Sequence, residues 1–311
     1  MKPHTEIYFA PLQGFTDYVY RNVYAETFDG VEKFFTPFLR VEGGEVRRKD
    51  AVDLEMTANR SITVPQIIAN CSEDVDILAQ LVLNKGFEHC DINFGCPFPQ
   101  QTHKMRGAGI LPHPDKVAEV LKAAAKYPEL KFSVKMRLGN TDKTECLAIV
   151  DILNDAPLSF VTVHPRISKQ MYSGTIDMAM FQELMSKINH PTVYNGDIAT
   201  VDDIHRITSQ FPNIKAVMIG RGLLANPFLA QDYKADGNCG FDVKTYMNFI
   251  NNLLHGYLAQ YDNSEYMALD KMKTFWAYPP LGVNKKHVKD IQKSRTISEF
   301  VMKVAVAVNK L

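Results

Sequence analysis

Eight short runs of β-branched and aromatic residues recur along this chain, and their spacing limits what it can fold into. They cover residues 7–10, 33–36, 64–69, 90–93, 132–135, 160–164, 192–195 and 216–220. Each is followed by a polar loop and then a segment of helical periodicity, as at 72–84, 114–126, 144–154, 177–188 and 201–210. Strands that alternate with helices pair in parallel, and eight is the number that closes a barrel. Ser72 and Thr200, each followed by acidic residues, read as helix starts. The interval 41–63 is long and charged, and its helix is the weakest of the set. The expected fold is therefore α/β: a (β/α)8 TIM barrel over residues 1–235, followed by a small C-terminal helical domain over 240–311. Asp236 to Gly240 reads as the break, with helices beyond it over 246–260 and 288–308. An open doubly wound sheet is the structural alternative, but no G-x-G-x-x-G follows the first strand.

Composition narrows the function classes. The formal net charge is zero, so no global basic field points to nucleic acid. The charge is uneven, however. Residues 271–311 hold nine Lys and Arg against two acids, a net +7, which leaves −7 for residues 1–270. Such asymmetry marks either a polyanion-binding end or a solvated helix face. Five cysteines with no C-x-x-C pair predict reduced thiols in the cytoplasm, with no metal site. The first residues have no apolar signal core, and no apolar run is long enough to span a bilayer.

In barrels, chemistry sits at the C-terminal ends of the strands. Those ends carry Pro11, Leu12 and Gln13; Gln66; Asn93 and Cys96; Lys135 and Arg137; His164; Asn195, Gly196 and Asp197; and Gly220 with Arg221. Singly, each has an ordinary reading. Cys96 could be a buried structural thiol, Lys135 a solvated strand terminus, His164 a core histidine and Gly196 a turn glycine. Together they outline one rim. Glycine turns after strands seven and eight suit a phosphate, since free backbone N–H groups and a helix N-terminus face it. Arg221 would add a guanidinium fork. One phosphate without a dinucleotide fingerprint suggests FMN. Lys135 would lie at the pyrimidine edge of that flavin, where a cation stabilises the reduced anion. Gln66 and the backbone after Pro11 suit hydrogen bonds to its ring.

The motifs Ala10-Pro-Leu-Gln-Gly-Phe-Thr-Asp17, Asn93-Phe-Gly-Cys-Pro97, Val134-Lys-Met-Arg-Leu-Gly139, Val163-His-Pro-Arg166 with Gln170-Met-Tyr-Ser-Gly174, Asn195-Gly-Asp-Ile198 and Gly220-Arg-Gly222 together resemble the tRNA-dihydrouridine synthases. The match covers residues 7–232 and continues more weakly to Trp276; Phe38-Leu-Arg-Val41 looks most like the C-type bacterial branch. The resemblance implies an FMN barrel with NADPH as reductant, acting on a uridine in the D-loop of tRNA as a monomer. It implies that Cys96 protonates the uracil and Asn93 orients it. FMN would be held by Pro11, Leu12, Gln13, Gln66, Lys135, His164, Asn195, Gly196, Asp197, Gly220 and Arg221. Arg40, Arg137, Lys271 and Lys273 would face RNA. Leu12, Asn70 and Pro165 depart from residues common in the family, though none removes a chemical group. Two alternatives remain: an FMN barrel acting on a small pyrimidine, as dihydroorotate dehydrogenases do, and an RNA-binding flavoprotein without turnover.

Overall fold

The computed structural model describes residues 4–237 and 240–311; Asn238 and Cys239, inside the expected break, lie outside the described residues. Eight strands form the expected ring: β1 Glu6–Phe9, β2 Lys33–Phe35, β3 in two pieces (Thr63–Val64 and Gln66–Ile67), β4 His89–Phe94, β5 Lys131–Gly139, β6 Val161–Ile167, β7 Thr192–Asn195 and β8 Ala216–Ile219. Pro65 divides β3 because it has no N–H to donate. The first piece of β3 pairs with β2 and the second with β4. The remaining pairings are all parallel, and β1 meets both β2 and β8, so the (β/α)8 barrel is closed. The strands β5 and β6 outrun their apolar cores, and a register shift between Arg137 and Gly139 lets β5 continue to the rim.

The helices α1 Tyr18–Thr27, α2 Arg48–Glu55, α3 Ser72–Asn84, α4 Pro114–Ala124, α5 Val150–Asp155, α6 Met178–Lys187, α7 Val201–Gln210 and α8 Leu229–Lys234 surround the ring. Thr200 caps α7 as expected, with Asp203 closing the reciprocal bond. Ser72 does not cap α3 through its side chain; its N–H is taken by the Glu119 carboxylate of α4 at 3.0 Å. The charged interval 41–63 holds a two-stranded ribbon, Val41–Glu42 against Glu45–Val46, ahead of α2.

Period-two alternation divides each strand between two environments. Ile7, Phe9, Phe34, Ile67, Cys90, Ile92 and Val134 pack outward against the helices in the main core. Tyr8, Ala10, Phe35, Val64, Phe160, Val193, Ala216 and Met218 form a separate buried cluster inside the ring. That apolar plug fills one part of the lumen, and polar side chains fill the rest.

The tail comprises α9 Val243–Gln260, α10 Glu265–Thr274, α11 Lys285–Gln292 and α12 Ile297–Val308. The single helix expected over 288–308 is broken, because Thr296 turns its hydroxyl to the Glu299 N–H and starts a new one. The helix α9 lies on α1 so closely that a Cβ at Gly256 would come within 2.6 Å of Val19 Cγ1. Trp276 is buried in the core. Asp17 ties barrel to tail: it caps α1 at Tyr20 N, accepts from Tyr257 Oη of α9 at 2.8 Å, and pairs with Lys271 of α10 at 2.8 Å. Asp17→Ala removes a cap and two interactions that water screens little, so urea unfolding should show a loss of about 2 kcal/mol. A change within about 0.5 kcal/mol would mean the joint contributes nothing.

Candidate active site

A cavity of about 930 Å³ opens over the C-terminal ends of the strands. That is the size of a site for a small organic ligand, which runs to roughly 1,000 Å³. Its floor is the polar layer of the lumen. Gln66 and Ser133 flank Asp91 in register on the neighbouring strands, and both bond it: Gln66 Nε2 donates to Oδ2 at 2.7 Å and Ser133 Oγ to Oδ1 at 2.6 Å. Asn93, two residues on, points the same way and donates from Nδ2 to Gln66 Oε1 at 2.7 Å. Its own Oδ1 accepts the N–H groups of Gly95 (2.9 Å) and Cys96 (2.7 Å). Burial pushes the Asp91 carboxyl up to about 6, so it is an anion at neutral pH.

Cys96 lines the cavity and packs against Phe38 and Ile68. The loop behind it is Gly107, with φ of +58° and no room for a Cβ, which would sit 2.7 Å from Cys96 Cβ. Desolvation raises the Cys96 thiol above its ordinary value, against a backbone hydrogen bond and the fields of Arg137, Lys135 and Arg40. The sulfur is therefore a protonated thiol at neutral pH.

Lys135 is the register partner of Asn93 and lines the same cavity. Its ammonium has no hydrogen bond or ion pair among the described residues. Burial, and then Arg137, lower it to about 8 against the pull of Asp91. His164 lies beyond it, with burial and then four cations holding its ring neutral. Arg166 Nη1 stands 3.2 Å from His164 Nε2. A guanidinium can only donate, so that nitrogen is the acceptor and the ring proton is on Nδ1.

Pro11, Leu12, Gln13, Asn195, Gly196, Asp197, Gly220 and Arg221 all line the cavity. The Leu12 N–H is taken by Thr16 Oγ1 at 2.9 Å, and the Asn195 amide bonds the Met218 carbonyl at 2.7 Å. Asp197 adopts a left-handed φ of +39°, unusual for a side chain with a Cβ. Arg166 and Arg221 both grip its carboxylate. Arg137 is buried, bonds the carbonyls of Gly95 and Ile167, and lies over the Tyr172 ring at 5.4 Å; Arg221 lies over the same ring at 5.1 Å.

The residues expected to face RNA divide by position. Arg40 lines the cavity and pairs with Glu42 at 2.7 Å. Arg137 reaches only what enters the cavity. Lys271 is turned inward: its ammonium meets Asp17, the Gly14 carbonyl at 2.8 Å, and the faces of Tyr257 and Phe275. Lys273 is half-buried without a charged partner among the described residues.

Four residues of the site carry no role in the sequence reading, although Arg166 stands there at the end of strand six and Tyr172 in the motif 170–174. Asp91 shares the inward face with Asn93, and Arg166 shares it with His164, so the period of two could have found both. Tyr172 lies in a loop and Tyr278 comes from the tail, and no periodicity points to either.

Among the described residues no group of three or more His, Cys, Asp or Glu could hold a metal ion, and no helix is long and apolar enough to cross a membrane. Fold and cavity define a (β/α)8-barrel enzyme with its chemistry at the strand ends. The family model of dihydrouridine synthases (Dus) matches residues 8–297, and the chain belongs to that family. It is 28% identical over 226 residues to tRNA-dihydrouridine synthase B of Pasteurella multocida, spanning 72% of this chain and 67% of that one. It is 29% identical over 227 residues to a probable tRNA-dihydrouridine synthase of Rhodobacter capsulatus, spanning 71% and 69%. The B designation of the first stands beside the C-type likeness of residues 38–41. Two solved barrels share the fold: the old yellow enzyme from Trypanosoma cruzi (TM-score 0.55, 8% identity, 78% of this chain and 91% of that one) and morphinone reductase (TM-score 0.52, 12% identity, 78% and 88%).

Lys135 gives a stability test with a definite sign. Its folded value of about 8 lies below the ordinary 10.5, so its charge destabilises the native state below about pH 8, and that cost disappears above about pH 10.5. Lys135→Met should raise the stability of the ligand-free protein at pH 7 by about 2 kcal/mol, with the gain gone at pH 10.5. Loss of stability at pH 7 in urea titrations would refute this reading of the buried ammonium.

Proposed function

We propose that this protein is an FMN-dependent tRNA-dihydrouridine synthase. In this reading it uses NADPH to reduce a D-loop uridine of tRNA in the cytoplasm. The observation that carries the reading is the adjacency of Asn93 and Lys135 as register partners, with Cys96 tied to Asn93, in one cavity.

The donor set suits an anionic flavin. Five cations (Arg40, Lys104, Lys135, Arg137 and Arg221) line the cavity against two acids, Glu42 and Asp197. Lys135 would compensate negative charge on the pyrimidine side of the ring. Arg221 and the turns at Gly196 and Gly220 would hold the phosphate end. The neutral His164, with its proton on Nδ1, can donate one hydrogen bond without adding charge. FMN held there would be the source of the hydride that reduces C6 of the uracil ring.

The chain's own residues do the rest. Asn93 and Arg137 orient the base at the cavity wall. Cys96 donates its Sγ proton to C5, leaving a thiolate that solvent reprotonates. A proton donor must keep its proton until that moment, and burial of the thiol secures this. Arg137, Lys135 and Arg40 then stabilise the thiolate, since their fields lower the thiol's value.

A base must leave its stack to enter such a cavity, and a loop nucleotide does so at least cost. The RNA would be gripped from the tail. Lys285, Lys286, Lys289 and Lys293 are exposed and have no acidic partner among the described residues. A metabolite the size of a pyrimidine needs no such surface, which favours RNA over the small-pyrimidine alternative.

The purified protein should be yellow and release FMN on denaturation. Cys96→Ala should keep the flavin and its reduction by NADPH while forming at least about a hundredfold less dihydrouridine, the usual scale for loss of a general acid. Normal product from that variant would sink the assignment. Reversing Lys285, Lys286 and Lys289 to Glu should weaken tRNA binding and flatten its salt dependence by about three counterions without loss of colour. Undiminished binding would place the RNA elsewhere.

A further inference from the structure

We propose that Asp91 is a positioning residue that sets the orientation of the Cys96 loop through the side chains of Gln66 and Asn93. The inference rests on the reading of Cys96 as the proton donor and deepens it.

Polarity carries the argument. An ionised carboxylate only accepts hydrogen bonds. With Asp91 on one side, Gln66 must present Nε2 to it, which leaves Oε1 facing Asn93. Asn93 must then present Nδ2 to Gln66, which leaves Oδ1 facing the loop. Only an acceptor can satisfy the Gly95 and Cys96 N–H groups together. The buried charge at one end and the two backbone donors at the other thus demand the same orientation of both amides, and the second amide holds the backbone that carries the sulfur. Asp91, Gln66 and Ser133 are fully buried, so at that end of the relay water does not readily substitute for a reversed partner. The carboxyl sits at about 6, which keeps it an acceptor at pH 7.5. Ser133 differs from the others, because its hydroxyl rotates and can either donate or accept.

That difference supplies the test. In Asp91→Asn, the new amide can turn its NH2 to Ser133 Oγ and still accept from Gln66, so the polarity survives. In Ser133→Ala the carboxylate remains an acceptor, and the polarity survives again. In the double variant the amide introduced at position 91 finds no acceptor at position 133, so it either leaves its NH2 unpaired or turns it to Gln66, which reverses both neighbours and sets the Asn93 NH2 against two backbone N–H groups. Hydrogen exchange of the Gly95 and Cys96 amides, followed by NMR in the flavin-free protein at pH 7.5, reads this directly. Each single variant should stay within about twofold of the parent, and the double should exchange about tenfold faster or more, the worth of one lost bond and one unpaired donor. The charge beside Lys135 is removed equally in Asp91→Asn and in the double, so it cancels from their comparison. A double variant that equals the product of the singles would overturn the proposal. Should that protein not fold, Asp91→Asn with Ser133→Cys preserves volume with a much weaker acceptor and takes its place. In the flavin-loaded protein, dihydrouridine formation should fall in the double while reduction by NADPH holds. Faster exchange with normal product would uphold the positioning role and overturn the acid assignment.

Discussion

Closure of the parallel ring is the constraint on which the rest depends. Once eight strands join edge to edge, every second side chain must be housed in a lumen that excludes water. This protein fills that space in two ways. Tyr8, Phe35, Phe160, Val193 and their neighbours form an apolar plug. On the cavity side, Gln66, Asp91, Asn93, Ser133, Lys135 and His164 occupy equivalent inward positions. Buried polar groups are tolerable only when they satisfy one another, and most of these do. Lys135 does not, and its lowered value marks the place where the fold gives up stability to hold a free cation in the cavity.

The rim is built by the same economy of partners. Arg166 is fully buried, yet it accounts for its donors by reaching His164, Asp197 and the carbonyls of Ser173 and Gly174. In doing so it fixes the histidine tautomer and holds Asp197 in a left-handed conformation. The tail acts on the rim too. Lys271 bonds the Gly14 carbonyl at the end of the loop that carries Pro11, Leu12 and Gln13, and Tyr278 reaches the cavity itself. The helical tail is therefore part of the wall of the site.

What could be read in the sequence follows from how local each signal is. The strands and the helices α3 and α7 were legible because burial imposes a period on neighbouring residues, and Thr200 with Asp203 is a local bond. The break between α11 and α12 was not, because Thr296 caps or continues a helix according to a backbone choice that the apolar pattern does not register. The helix α10 was also overlooked. Most of its surface is polar, with only Ala268, Leu269 and Met272 buried. Among site residues, most at the strand ends and in the turns directly after them were assigned roles, while Asp91 within β4, Tyr172 in a more distant loop and Tyr278 in the tail were not. Lys271 shows the limit of counting charge: its position was legible, but its partner Asp17 lies near the other end of the sequence and is met only in the folded chain.

The tail's excess charge therefore has to be sorted by what each cation touches. Lys271 and Lys303 serve the fold, the first against Asp17 and the second against Glu299 and the Asp290 carbonyl. The unpaired lysines gather on and just beyond α11, whose first turn differs from those of α10 and α12. The helices α3, α7 and α12 carry acids in their first turns, where the dipole favours negative charge. In α11 the first turn carries Lys285 and Lys286 and no acid. Folding gains nothing from two ammonium groups at a positive helix end. An anionic partner does gain, because both the lysines and the dipole attract it, and that is the feature on which the proposed grip on RNA draws.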